Sequence, residues 1–190
     1  GDAGGALGAA LAVWHEQTSE KPRGESTPQK GQDQMSGSLL GPAYSSDEVQ
    51  RTLIAHEASF HVTDDHGTLN KITSGWLAEG QVVGWMQGAM EFGPRALGNR
   101  SILGDARSSK MQSLINRKIK YRESFRPFAP AVLEEKAHRF FELHGLKSPY
   151  MLIVADLLES QQKSTSSELE GLERLHAERS DVPAVTHVDY

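Results

Sequence analysis

The chain has 190 residues, of which 37% are apolar and 24% are charged, with a formal net charge of −5. These values suit one globular domain, or one domain with part of a second, and argue against a general binder of nucleic acids or membrane surfaces. The sequence has no cysteine, which excludes a disulfide framework, a thiolate nucleophile and Cys-ligated zinc. No apolar run approaches the roughly 18 residues of a membrane span, so we expect a cytoplasmic protein.

The predicted elements alternate between helix and strand. Small apolar residues predict a tightly packed helix over 1–15, and a polar stretch rich in Pro, Gly and Ser predicts an exposed linker over 16–38. Periodicity and capping signals predict further helices over 46–57, 69–79, 105–118 and 134–141. Strands are predicted over 60–62, 81–86, 150–155 and 182–188. A turn is predicted over 64–67, and an exposed, partly helical insertion over 158–180. This order indicates an α/β or mixed α+β fold. Both ends are abrupt, which predicts a piece of a longer protein.

The first basic stretch, residues 88–107, reads GAMEFGPRALGNRSILGDAR. Its recurring glycines let backbone N–H groups approach a ligand closely. Arg95, Arg100 and Arg107 offer planar guanidinium groups that bind phosphate or carboxylate at two points. Glu91 precedes Arg95 by four residues and is placed to orient it. This pattern favours an anion site, and the alternative is a structural turn with surface arginines.

The second basic stretch, residues 116–130, reads NRKIKYRESFRPFAP. Lys118, Lys120 and Arg122 alternate, so a strand would place all three on one face, and Arg126 follows them. Like charges on one face repel each other unless an anion or an acid neutralises them. The alternative is a solvated edge strand protected by lysines. Because nine lysines and arginines but only two acids lie between residues 95 and 126, the two stretches together predict a site for a triphosphate, or for a phosphate with an acyl phosphate.

The eight histidines include no HxxxH or HExxH pair, so no metal site is predicted among them. His187 would lie beside Asp189 on one face of the last predicted strand. That spacing leaves two interpretations open, a His–Asp pair in a site or an ordinary strand histidine.

Four segments, EFGPRALGNRSIL, INRKIKYRESFRPFAPAVL, SPYML and PAVTHVD, occur in this order. In them the chain resembles the carbamoyltransferases, a family that includes antibiotic and nodulation-factor O-carbamoyltransferases, over about residues 39–155 and 182–190. The resemblance implies that residues 1–15 end a Kae1-like domain of actin-like ATPase fold and that 16–38 form a flexible linker. Residues 39–190 would then form a YrdC-like domain, truncated at its end, with a YrdC/Sua5-like twisted sheet, flanking helices and a basic concave face.

The resemblance also implies a two-step reaction. The YrdC-like domain would use ATP, carbamoyl phosphate and Mg²⁺ to form carbamoyl adenylate and release pyrophosphate. The Kae1-like domain, whose metal ion lies outside this chain, would then pass the carbamoyl group to a hydroxyl or amine acceptor. Lys120 and Arg122 are the implied catalytic residues. The residues expected to contact the nucleotide or carbamoyl phosphate are Arg95, Arg100, Arg107, Lys118, Arg126, Glu91 and His187.

Ala89 stands where the family often has Arg, so one cation of the site would be absent. The partners implied are the small-molecule substrates and the rest of the Kae1-like domain, with no nucleic acid and no membrane. The acceptor, the activity of the chain by itself and the oligomeric state, a homodimer included, stay open. Two other functions stay open as well: a basic-groove RNA-binding module, although no RNP-type aromatic pattern is present, and a catalytically silent interaction domain.

Overall fold

The computed structural model describes residues 4–18, 35–63, 65–164 and 177–185. The chain forms two compact units, each assembled from separate segments. The first unit draws on residues 1–60, 86–101 and 148–152, and the second on residues 61–85, 102–147 and 153–190. Each unit is therefore described by itself.

The first unit contains two α-helices, α1 (Gly5–Thr18) and α2 (Ser46–Ala55), and a short 3₁₀ helix at Ser36–Ser38. A capping box starts α2: the Glu48 N–H donates to Ser45 Oγ at 3.3 Å, and the Ser45 N–H donates to the Glu48 carboxylate at 2.8 Å. Both helices were predicted, and both are confirmed. The tight packing predicted for α1 is not found among the described residues, because the large apolar side chains of this helix are about half exposed.

Residues 38–42 and 90–92 pair along their backbones in the first unit. The Gly41 N–H donates to Met90 O at 2.9 Å, and the Met90 N–H donates to Pro42 O at 2.9 Å. The Phe92 N–H donates to Ser38 O at 2.6 Å. A Cβ atom at Gly41 would lie only 2.7 Å from Met90 O, so the close approach requires glycine there. This pairing fixes the start of the first basic stretch.

The second unit contains α3 (His66–Ala78), α4 (Met111–Lys118) and two 3₁₀ helices, Glu134–Arg139 and Glu159–Gln161. Asp65 caps α3, since its carboxylate accepts the N–H groups of Gly67 and Thr68, each at 2.9 Å. Residues 65–67 of the predicted turn thus form the start of the helix that was predicted over 69–79. In the core of this unit, the buried side chains of Met111 and Ile115 on α4 cluster with Ala184 in a later turn. Three partly buried side chains pack against this cluster: Val82, Leu114 and Phe128.

A two-stranded antiparallel sheet pairs β1 (Val83–Met86) with β2 (Arg100–Leu103). The Gln87 N–H donates to Asn99 O at 3.0 Å just beyond the paired residues. The strand predicted over 81–86 is confirmed, whereas β2 falls inside the Gly-rich stretch, where no strand was predicted. Helices together with this sheet confirm the mixed α/β class.

Several predicted elements are wrong. Residues 60–62 and 150–155 form no strand, and within the described part of the chain no other strand pairs with them. Unpaired strands leave backbone groups without partners, so apolar, β-prone sequence does not suffice. Residues 118–122 also form no strand, because α4 continues to Lys118 and an irregular segment follows it.

Other boundaries differ from the predictions. The helix predicted from residue 105 begins at Met111, and the helix predicted over 134–141 is the 3₁₀ helix Glu134–Arg139. Residues 182–185 form a turn instead of a strand, and 186–190 lie outside the described residues. Most of the predicted linker (19–34) and half of the predicted insertion (165–176) also lie outside them. None of the described helices is long and apolar enough to cross a membrane.

Candidate functional site

A buried carboxylate organises the first basic stretch. Glu91 is 5% exposed, and its Oε1 accepts the N–H groups of Leu97 at 2.8 Å, Asn99 at 2.7 Å and Arg100 at 3.2 Å. Burial acts to raise the pKa of Glu91, but the backbone hydrogen bonds outweigh it and hold the pKa below the usual 4.5. The loop therefore folds around an ionised carboxylate. The orienting of Arg95 by Glu91 stays a prediction.

Arg100 turns inward onto backbone carbonyls. Its Nη1 donates to Gln87 O and Asn99 O, each at 2.8 Å, and its Nη2 donates to Gly88 O at 3.2 Å. These carbonyls carry no formal charge, so the positive charge of Arg100 remains, although each terminal nitrogen makes at least one hydrogen bond. In this arrangement Arg100 stabilises the loop.

Arg95 lies on an exposed turn between two glycines of unusual backbone conformation. Gly93 has φ of 114° and Gly98 has φ of 113°, a region that favours glycine. The glycine spacing seen in the sequence thus has a structural cause, because both positions adopt a positive φ.

Arg107 pairs with a neighbouring acid. Its Nε lies 2.9 Å from Asp105 Oδ1, and its Nη2 lies 2.8 Å from Asp105 Oδ2. The hydrogen bonds from the Arg107 side chain lower the pKa of Asp105, and the same contact raises the pKa of Arg107. The charge of Arg107 is therefore balanced locally.

The second basic stretch is fastened to α4 by two amide side chains. Asn116 is fully buried, and its Nδ2 donates to Ser124 O at 3.1 Å and to Arg126 O at 2.8 Å. Gln112 Nε2 donates to Phe125 O at 3.1 Å and to Arg126 O at 3.2 Å. Residues 124–126 are thus held against the helix by four hydrogen bonds from side chains.

Arg122 is held by the same residues. Its Nε donates to Asn116 Oδ1 at 2.6 Å, and its backbone N–H donates to Asn116 O at 3.0 Å. Its guanidinium carbon lies 5.0 Å from the centroid of the Phe128 ring, within the range of a cation–π contact. The terminal nitrogens of Arg122 have no hydrogen-bond partner in the part of the chain that the structure describes.

Lys118 and Lys120 are exposed next to Arg122. Counting only described residues, no acid lies within ion-pair distance of either lysine or of Arg122. Arg126, in contrast, lies 3.8 Å from Glu123, and both side chains are more than half exposed. Lys118 also complements the negative end of the α4 dipole. The segment 118–122 therefore concentrates positive charge that no described acid neutralises.

The predicted site residues fall into two groups, one in each unit. The first unit brings together Glu91, Arg95 and Arg100, and the second contains Arg107, Lys118, Lys120, Arg122 and Arg126. His187 lies outside the described residues, so its role stays a prediction, as do the ligand contacts assigned to the other residues. Across the described ranges, no three His, Asp or Glu side chains form a group that could hold a metal ion.

Sequence reasoning missed Gln112, Asn116 and Phe128. A signal for the two amides was present, because residues four apart lie on the same face of a helix. Two amides on one helix face, followed by an irregular basic segment, indicate donors for the carbonyls of that segment.

Comparison with known proteins identifies the family. Residues 74–190 match the carbamoyltransferase C-terminus family. The chain is 52% identical over its full length to the uncharacterized protein sll1178 of Synechocystis, of which it covers 30%. It is 39% identical to the nodulation protein NolNO of Sinorhizobium fredii over 99% of the chain and 24% of that protein.

A relative named for its reaction is also similar. The chain is 39% identical to 3'-hydroxymethylcephem-O-carbamoyltransferase of Streptomyces clavuligerus, over 66% of the chain and 19% of that enzyme. The chain thus spans less than a third of the length of each of these relatives. With the family match covering more than half of its residues, the chain belongs to the carbamoyltransferase family.

Proposed function

We propose that this chain contributes the carbamoyl-adenylate-forming site of a carbamoyltransferase. The observation that carries the proposal is the cluster of Lys118, Lys120 and Arg122, whose positive charges no described acid neutralises. Unpaired cations concentrated in one short segment are stabilised when an anion binds to them. Membership of the carbamoyltransferase family supports a carbamoyl donor as the ligand, and we propose carbamoyl phosphate and ATP as the anions.

The proposed reaction begins with two bond changes at the substrates. Water hydrolyses the bond between phosphorus and the carbamoyl oxygen of carbamoyl phosphate, which gives carbamate and inorganic phosphate and releases a proton. An oxygen of carbamate then attacks the α-phosphorus of ATP, and the bond from that phosphorus to the oxygen bridging the β-phosphate breaks. Pyrophosphate leaves with the electron pair, and carbamoyl adenylate remains. A hydroxyl or amine acceptor takes the carbamoyl group in a later step, in the rest of the protein.

The protein's part in this step is electrostatic. Negative charge spreads over several phosphate oxygens during the transfer, and fixed cations stabilise it without moving. Arg122 presents its two terminal nitrogens for two-point binding, while Lys118 and Lys120 act as more mobile point charges. Among the described residues no group of three His, Asp or Glu side chains could hold Mg²⁺, and the chemistry that Mg²⁺ would supply is neutralisation of phosphate charge.

The test is the exchange of labelled pyrophosphate into ATP, measured in the full-length protein with carbamoyl phosphate present. Lys120→Ala and Arg122→Ala should each lower the exchange rate by about a hundredfold or more, as expected when one group that stabilises the transition state is removed. Lys110→Ala is the matched control. It removes an exposed lysine at the other end of α4 and should leave the rate unchanged.

Exchange that survives both substitutions at full rate would contradict the proposal. The RNA-binding alternative predicts a different result: binding of single-stranded RNA that weakens steeply with salt, with no dependence on carbamoyl phosphate.

A further inference from the structure

Arg122 is attached to the fold at three points. Its backbone N–H and its Nε both bond to Asn116, at 3.0 Å and 2.6 Å, and its guanidinium carbon stands 5.0 Å from the centre of the Phe128 ring. The Nε hydrogen bond sets the direction of the side chain, and the ring contact restrains the guanidinium group at its end. Long cationic side chains on a surface normally keep their rotamer freedom, so this degree of fixation is informative.

The attachment occupies one edge of the guanidinium and leaves the other free. Nε is used by Asn116, and the two terminal nitrogens are without hydrogen-bond partners among the described residues. Two terminal N–H groups side by side match two oxygens of one phosphate. Because the orientation is set before the anion arrives, less entropy is lost on binding.

Asn116 uses both of its amide hydrogens and its side-chain oxygen in this arrangement. Its oxygen accepts from Arg122 Nε at 2.6 Å, and its two amide hydrogens go to Ser124 O at 3.1 Å and Arg126 O at 2.8 Å. The amide cannot be flipped, because that would set its NH₂ against the Nε donor and its oxygen against two carbonyls. Aspartate could not donate to the carbonyls, and leucine could do neither, so the position calls for an amide.

Gln112 offers a natural comparison. It holds the same loop through Phe125 O at 3.1 Å and Arg126 O at 3.2 Å, but no described hydrogen bond joins it to the Arg122 side chain. A purely structural role for Asn116 would resemble the role of Gln112. The bond from Arg122 Nε is what distinguishes the two amides.

We infer that Asn116 and Phe128 are positioning residues that hold Arg122 for two-point binding of a phosphate group. The inference rests on the proposed function for the identity of the ligand, which is either the phosphate of carbamoyl phosphate or a phosphate of ATP. The geometry leaves the choice between these two sources to experiment.

The test is a set of double-mutant cycles in the full-length protein. Arg122→Lys keeps the charge but loses both Nε and the planar fork. It is introduced into the wild-type protein and into the Asn116→Ala, Phe128→Leu and Gln112→Ala variants. Binding of ATP alone and of carbamoyl phosphate alone is titrated by calorimetry for each, and thermal unfolding establishes that each variant is folded.

In the wild-type protein, Arg122→Lys should weaken the binding of one of the two probes by about tenfold, since a charge-assisted two-point contact is lost. In the Asn116→Ala and Phe128→Leu variants, the same exchange should weaken it by less than about threefold, because an arginine that is not held in place has little advantage over lysine. In the Gln112→Ala variant the effect should stay about tenfold. The probe affected identifies the source of the phosphate.

A spectroscopic signal follows the position of Arg122 without any ligand. The Nε–H of Arg122 should exchange slowly with water in ¹⁵N-labelled wild-type and Gln112→Ala protein and rapidly in Asn116→Ala. If Asn116→Ala does not fold, the Phe128→Leu cycle decides. An equal effect of Arg122→Lys in all four backgrounds refutes the positioning role and leaves the proposed function intact. No effect of Arg122→Lys on either probe in any background refutes the proposed role of Arg122 itself.

Discussion

Replacing Glu91 with glutamine tests whether a buried charge holds the first basic stretch together. Glutamine has nearly the same shape and keeps an oxygen that can accept the three backbone N–H groups found at 2.7–3.2 Å. What it loses is the charge. A hydrogen bond to a charged group contributes about 1 kcal/mol more than a neutral one, so three bonds lose about 3 kcal/mol. Glutamine is less costly to bury, which offsets about 1 kcal/mol.

The net loss of about 2 kcal/mol should appear locally, as faster hydrogen exchange. The amides of Leu97, Asn99 and Arg100 should lose protection by about thirtyfold, the factor that corresponds to this free energy. The amide of Val49, which bonds to Ser45 O at 3.1 Å in α2, should be unchanged and serves as the control.

The effect should also depend on pH with a definite sign. The pKa of Glu91 lies below 4.5 in the folded chain, so the folded state holds its proton less tightly than the unfolded state does. The stabilisation is then complete above about pH 4.5 and disappears as the pH falls through the lowered pKa. Equal protection of the three amides in wild-type and Glu91→Gln protein at neutral pH would refute the account, as would a wild-type excess that persists at low pH.

The remaining predictions concern backbone strain and packing, measured as the free energy of unfolding in urea. Tyr121 has φ of 50° and is 85% exposed, so Tyr121→Gly should raise that free energy by about 1 kcal/mol through relief of a left-handed conformation. Gly104→Ala should lower it by about 1–2 kcal/mol, because the new Cβ would lie 2.8 Å from both Met111 and Ile115. Gly75→Ala, in open space on α3, should instead raise it by about 0.5–1 kcal/mol.

The helices were predictable because their signals are local. Ser45 and Glu48 form a capping box that can be read from four consecutive residues, and the helix that follows ends within two residues of its predicted end. The apolar spacing of Met111 and Ile115 likewise located α4. Local hydrogen bonds and a single periodic face suffice to specify such elements.

The strands were less predictable because a strand depends on a distant partner. The apolar run at 150–155 meets every local criterion, yet no described strand pairs with it, and Val154 is 89% exposed. Conversely, β2 lies in a segment that reads as a glycine-rich loop, and it pairs with β1 only because the turn around Glu91 returns the chain. No periodicity within either segment could reveal this.

The candidate site shows the same division between local and distant information. Composition located the positive charge, but it could not tell which cations were already engaged. Arg107 is paired with Asp105, Arg126 lies near Glu123, and Arg100 donates to backbone carbonyls. These three arginines therefore already have partners within the protein.

In the second basic stretch, three cations differ from these engaged residues. Lys118, Lys120 and Arg122 lack acidic partners among the described residues, and of these three Arg122 alone has its side chain fixed by described hydrogen bonds. A fixed planar group that follows two exposed lysines in the sequence can bind one phosphate at a defined angle while the lysines tolerate changes in charge around it.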